Sequence, residues 1–153
     1  MATIGLGIFD KTLQESDRWL RIVMEELETD SRRLAFSALR ATLHALRDWI
    51  GPANAVHLGA LLPMLLRGAY YEGWQSNGTP VREGDIEGFL YHIALELRRN
   101  VDLNPQEAAK ATFVALSECI DAREIKKLLK VTPLDMRLLW PGIIPPAQSL
   151  QAH

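Results

Sequence analysis

Cysteine is the scarcest side chain here: Cys119 stands alone among 153 residues. One thiol can form neither an internal disulfide framework nor a multi-cysteine zinc site. Long hydrophobic runs are missing too. The greasiest stretch, residues 58–66, is short and contains Pro63, whereas a membrane-spanning helix needs about 18 or more apolar residues in a row. Charge of one sign is lacking, since 17 basic residues face 19 acidic ones for a formal net charge of −2. No global field therefore gathers nucleic acid or an anionic membrane surface. The opening apolar run, Ile4 to Phe9, has no basic residues before it and is interrupted by Gly5 and Gly7. That is not the pattern of a secretory signal, and a cytoplasmic location is expected. Sustained period-two alternation is also absent, so no strands are expected.

What is present is an ordinary globular balance, with 48% apolar and 24% charged residues. The expectation is one all-α domain over residues 1–153. Residues 10–28 carry Leu13, Leu20, Val23, Met24 and Leu27 at helical spacing, with Asp30 as the expected cap of the next helix. Residues 31–49 are apolar over more than half their girth, which suits a central helix. Gly51-Pro52 ends that helix and starts a third, with proline at a first helical position. Pro63 interrupts the third helix, and a further helical stretch runs from Met64 to Glu72. Residues 75–84 are rich in helix breakers and read as a linker. Beyond it, Phe89 to Arg99 is amphipathic. Asn104-Pro105-Gln106-Glu107 combines a cap, a first-turn proline and a glutamate. Asp121 to Glu124 opens another helix, and a short piece follows Pro133. The tail, 143–153, shows no pattern.

The two halves repeat. Compared with a shift of 70, residues 19–63 match 89–133 at 11 of 45 positions, without gaps. Ala38, Ala41, Thr42, Ala45 and Leu46 recur as Ala108, Ala111, Thr112, Ala115 and Leu116, and Pro63 recurs as Pro133. Arg67 and Arg137 each lie four residues past the repeat proline, and a four-residue gap pairs Trp74 with Trp140. The expected architecture is a helical bundle of two repeats, each of three to four helices and related by a pseudo-twofold axis. Repeat 1 covers about 10–74, and repeat 2 about 85–142. The alanine ladders would let central helices approach closely.

Three strings carry a family resemblance: Phe9-Asp10-Lys11-Thr12-Leu13-Gln14, the run from Ala38 to Asp48, and the run from Leu62 to Trp74. The closing Arg137-Leu138-Leu139-Trp140-Pro141 joins them. Together they resemble a bacterial family, Domain of Unknown Function 2267. Trp49-Ile50 and Thr132 depart from its pattern. The resemblance implies an all-α fold of two repeats and a cytoplasmic bacterial protein. It implies no activity and carries over no catalytic residue.

The residues themselves point the same way. No glutamate has a histidine three residues on, which a di-iron bundle needs, and no metal site is expected. His92 and Glu96 are one turn apart, which allows only a surface pair. Cys119 has the spacing of a small core residue, and His44 and His57 lie in or beside apolar helices. No catalytic residue and no cofactor is expected. The one suggestive constellation is Arg67, Tyr70, Tyr71 and Trp74 with Arg137 and Trp140. Arginine stacks on aromatic faces and offers a planar fork to carboxylates and phosphates. These six are the candidate binding residues. The plainer alternative is that each tryptophan fills its half's core while the arginine caps helix-end carbonyls. The functional expectation is a non-enzymatic protein-interaction module with a protein partner or a second copy. The alternative is a small-ligand site at the repeat junction near Arg67 and Trp74.

Overall fold

The computed structural model describes residues 6–76, 85–98 and 103–142. Most of the 75–84 linker and the tail from 143 lie outside the described residues. Within them every regular element is a helix: α1 (Gly7–Leu27), α2 (Arg32–Trp49), α3 (Pro52–Ala60), α4 (Met64–Tyr71), α5 (Ile86–Leu97), α6 (Pro105–Cys119), α7 (Ala122–Val131) and α8 (Leu134–Arg137).

The boundaries follow local chemistry. Ser31, not Asp30, caps α2, its hydroxyl accepting the Leu34 N–H at 3.1 Å. Serine suits that place because its short side chain folds back onto the first turn. Asn104 caps α6 through the Gln106 and Glu107 N–H groups, and Asp121 caps α7 through that of Arg123. Asp85 caps α5 and starts it at Ile86, earlier than the apolar pattern suggests. Gly51 joins α2 to α3 with φ 89°, a left-handed conformation that glycine adopts without a steric penalty. Pro63 and Pro133 stand at the starts of α4 and α8 with nearly equal backbone angles, φ −55° and ψ 149° against φ −53° and ψ 146°.

α2 and α6 form the centre. Each packs against the other and against both α1 and α5. Ala38, Ala41, Ala45, Ala108, Ala111 and Ala115 are all buried. Small side chains let the two helices come together, and the Thr112 hydroxyl donates across the gap to the Ala38 carbonyl at 3.5 Å. Larger residues close the ends of this seam. Phe113 stacks on Trp140 with ring centroids 4.4 Å apart, and Phe89 lies between Phe113 and Trp49. α3 and α4 lie over one end of α2, and α7 and α8 close off α6 and α5.

Candidate functional site

Four places in this fold carry chemistry. The first is the predicted arginine–aromatic constellation. Its two arginines do not face a shared groove. Arg67 donates from Nε to the Gly59 carbonyl at 3.0 Å and from Nη2 to that of Leu62 at 3.0 Å. Arg137 donates from Nε to Thr132 O at 3.2 Å and from Nη2 to Lys130 O at 3.5 Å. Both donate to carbonyls where α3 and α7 end, and the Gly59 carbonyl also accepts the Leu62 N–H at 3.2 Å. Tyr70 is buried, its hydroxyl donating to Ala55 O at 2.7 Å. Burial, and then Tyr71, push its phenol far above the ordinary range. Tyr71 lies flat over α3 where residue 59 has no side chain: a Cβ on Gly59 would meet the tyrosine Cζ at 2.7 Å. Trp74 tilts against Tyr71, and Trp140 is buried on Phe113. Tyr70 and Trp140, which are 70 apart, share the same burial and the same distance from their prolines.

The second place is a polar latch that holds α2, α4 and α5 together. His44 is buried. Its Nε2 lies 2.7 Å from Ala69 O and its Nδ1 2.8 Å from a Glu96 carboxylate oxygen. A carbonyl can only accept, so Nε2 carries a proton, and the Nδ1–Glu96 contact needs a second one between the two groups. Burial pushes the Glu96 carboxyl up. The hydrogen bond and charge of His44, with Arg40 and Arg47 behind it, outweigh that and leave it below its ordinary value. One turn on, buried Arg47 donates to Asp48, to Tyr70 O at 2.7 Å and to Glu72 O at 3.0 Å. Arg40 pairs with Glu72 at 3.2 Å. Glu96 thus reaches His44 and not His92, whose ring sits 5.4 Å from that of Trp49.

The third place is the seam where α3 meets α7. His57 pairs with Glu124 at 2.7 Å. A cleft of about 500 Å³ beside it is lined by Trp49, Ile50, Asn54, Lys130, Val131, Thr132 and Pro133. Cys119 is half-buried nearby in sequence. Burial pushes its thiol up and outweighs the lowering by Arg18. Among the described residues, no three His, Cys, Asp or Glu side chains converge as metal ligands would.

The fourth place escaped the sequence reading. An apolar groove of about 380 Å³ runs between α1, α2 and α4, lined by Leu20, Phe36, Leu65, Leu66, Gly68 and Ala69, with Glu72 at one end. Ser16 is on its floor, and its hydroxyl has no hydrogen-bond partner. Leu65 is 53% and Phe36 37% exposed. A signal was available: the positions 70 further on, Gln106 and Asp135, are polar where Phe36 and Leu65 are apolar.

Residues 16–139 match the model of an uncharacterised conserved protein family, DUF2267. The chain belongs to this family. The Phe9–Gln14 string lies before the matched segment. The family's description assigns no activity, and among curated proteins nothing matches the chain. Among the described residues no helix is long and apolar enough to cross a membrane.

Proposed function

We propose that this member of the DUF2267 family is a non-enzymatic protein-interaction module of the cytoplasm, built from two repeats. The groove between α1, α2 and α4 carries the reading. A contiguous apolar groove with half-exposed Phe36 and Leu65 at its edge is a surface that water disfavours and a partner helix can cover. The test is a photo-reactive phenylalanine analogue at position 36 in the native cells. A protein cross-link that Leu65→Glu abolishes is the expected result. No cross-link to any protein would sink the reading.

The repeat reading rests on exchange of partners: α1 lies against α6 as α5 lies against α2. Arg67 reaches the Ala60 and Leu62 carbonyls as Arg137 reaches those of Lys130 and Thr132, and the two prolines share one backbone conformation. The division into repeat 1 at about 10–74 and repeat 2 at about 85–142 follows from it.

The second reading is a small ligand in the cleft beside α3 and α7. The cleft's volume and its position between the two halves favour it. A copurifying small mass in native mass spectrometry, with a matching rise in melting temperature, would support it. In that reading Arg67, Tyr70, Tyr71, Trp74, Arg137 and Trp140 stand outside the cleft's lining, and the ligand site lies away from the Arg67–Trp74 position expected from the sequence.

A further inference from the structure

The groove and the helix beside it fit one another. On α1, Phe9, Leu13, Ser16 and Leu20 follow at intervals of four, three and four, so they lie on one face. Ser16 and Leu20 from this face line the groove, while Leu13 is 43% and Phe9 47% exposed one and two turns before them. Apolar side chains at i and i+4 on an otherwise exposed helix are the anchors that helix-in-groove recognition uses. The same surface therefore carries a knob, Phe9 with Leu13, and a hole floored by Leu66, Gly68 and Ala69. A surface with both can pair with itself about a twofold axis, each copy's knob entering the other's hole.

One further observation favours a second copy, the size of the patch. The charges beside the groove are paired within the chain: Asp17 holds Arg21 at 2.9 Å and also Arg32, and Arg40 holds Glu72. Arg32 and Arg21 keep the Asp17 carboxyl below its ordinary value, the Arg32 hydrogen bond most of all. Three arginines share two carboxylates there, so the rim keeps one positive charge in excess while each of these groups has a partner within the chain. The area is of the right size. The exposed parts of Phe9, Leu13, Phe36 and Leu65 come to on the order of 400 Å². A standard interface buries roughly 800 Å² per partner, of which about 65% is apolar in homodimers. The patch supplies most of that share.

We infer that this protein forms a twofold dimer in which the Phe9–Leu13 stripe of each copy's α1 lies in the α1/α2/α4 groove of the other. The inference rests on the interaction-module reading and names its partner.

Sedimentation equilibrium from micromolar to hundreds of micromolar tests it on the full chain. The expected result is a species near twice the 17.2 kDa chain mass. Leu65→Glu and Leu13→Glu should each shift it to monomer, with helical circular dichroism unchanged and the concentration dependence of the melting temperature lost. Leu134→Glu, at a residue 70% exposed and away from the groove, should leave the dimer intact. A monomer throughout the range would overturn the inference. So would a dimer indifferent to Leu65→Glu and Leu13→Glu. The position-36 cross-link separates the two failures: a bond to a different protein removes the second copy and keeps the module, and no bond removes both.

Discussion

The halves of this protein bury their aromatic anchors alike but fasten their last helices differently. In the first half α4 spans Met64–Tyr71, and α2 holds its end through His44, Arg47 and Arg40. In the second half α8 is only the four residues Leu134–Arg137. The positions 70 after His44 and Arg47 are Val114 and Ser117, which cannot make those contacts. That end is instead closed by apolar packing, with Met136, Leu139 and Trp140 buried and Trp140 flat on Phe113. The last helix of a half can thus be fastened by buried cations on its carbonyls, as α4 is, or by stacking a large ring into the core, as Trp140 does on Phe113. The polar solution leaves α4 long enough to form one wall of the α1/α2/α4 groove, and the apolar one gives no comparable element.

The sharpest way to break this comparison is Arg47→Ala. It leaves the Tyr70 and Glu72 carbonyls and Asp48 without their cation, and loss of one partner from a buried charged network costs about 3 kcal/mol or more. Urea unfolding should show that loss, and Ser117→Ala at the matching place should change little. Equal midpoints for the two variants would erase the distinction between the halves. Ala45→Leu and Ala115→Leu come next. Both overpack the buried ladders and should each cost roughly 1–3 kcal/mol by thermal melting. Similar losses sharpen the repeat reading, and a loss confined to one variant breaks it.

Arg67→Ala and Arg137→Ala should each cost about 1–2 kcal/mol by freeing helix-end carbonyls, Arg67 more because it has three such bonds against two. Unchanged stability with lost binding would return Arg67 to a recognition role. The smallest effect is a dependence on pH. Folding favours the ionised Glu96, whose carboxyl is held below its ordinary value. Its stabilisation is full above the unfolded value near ~4.3 and vanishes as pH falls through the lower folded value. The melting-temperature gap between the wild type and Glu96→Gln should therefore close on acidification. A gap that stays constant would show that the latch does not depend on that charge.

The helices were legible because their signals are local. Pro52, Pro63, Asn104-Pro105 and Asp121 mark ends through their own backbone and nearest turns. The buried alanine ladders were legible because helical spacing puts them on one face. The carbonyl caps at Arg67 and Arg137 were open to the same reasoning, since each arginine lies four residues past a proline. Contacts between distant residues were not legible. Nothing near His44 announces Glu96, 52 residues away, and the nearer partner, His92, was the natural choice for that glutamate. Phe36 and Leu65 were hidden for the same reason, because each is one apolar residue beside a helix's buried stripe. They form a groove only once α1, α2 and α4 are side by side.

Composition and spacing by themselves determined an all-helical chain, the places where its helices start and stop, and which faces are apolar. Those properties depend on hydrogen bonds and side chains within a few residues of each other. The tertiary structure decided which apolar faces cover one another and which stay open. It also decided which cations are spent on carbonyls and where a carboxylate meets an imidazole. Those outcomes depend on how rigid helices cross, and no residue's immediate neighbours fix a crossing.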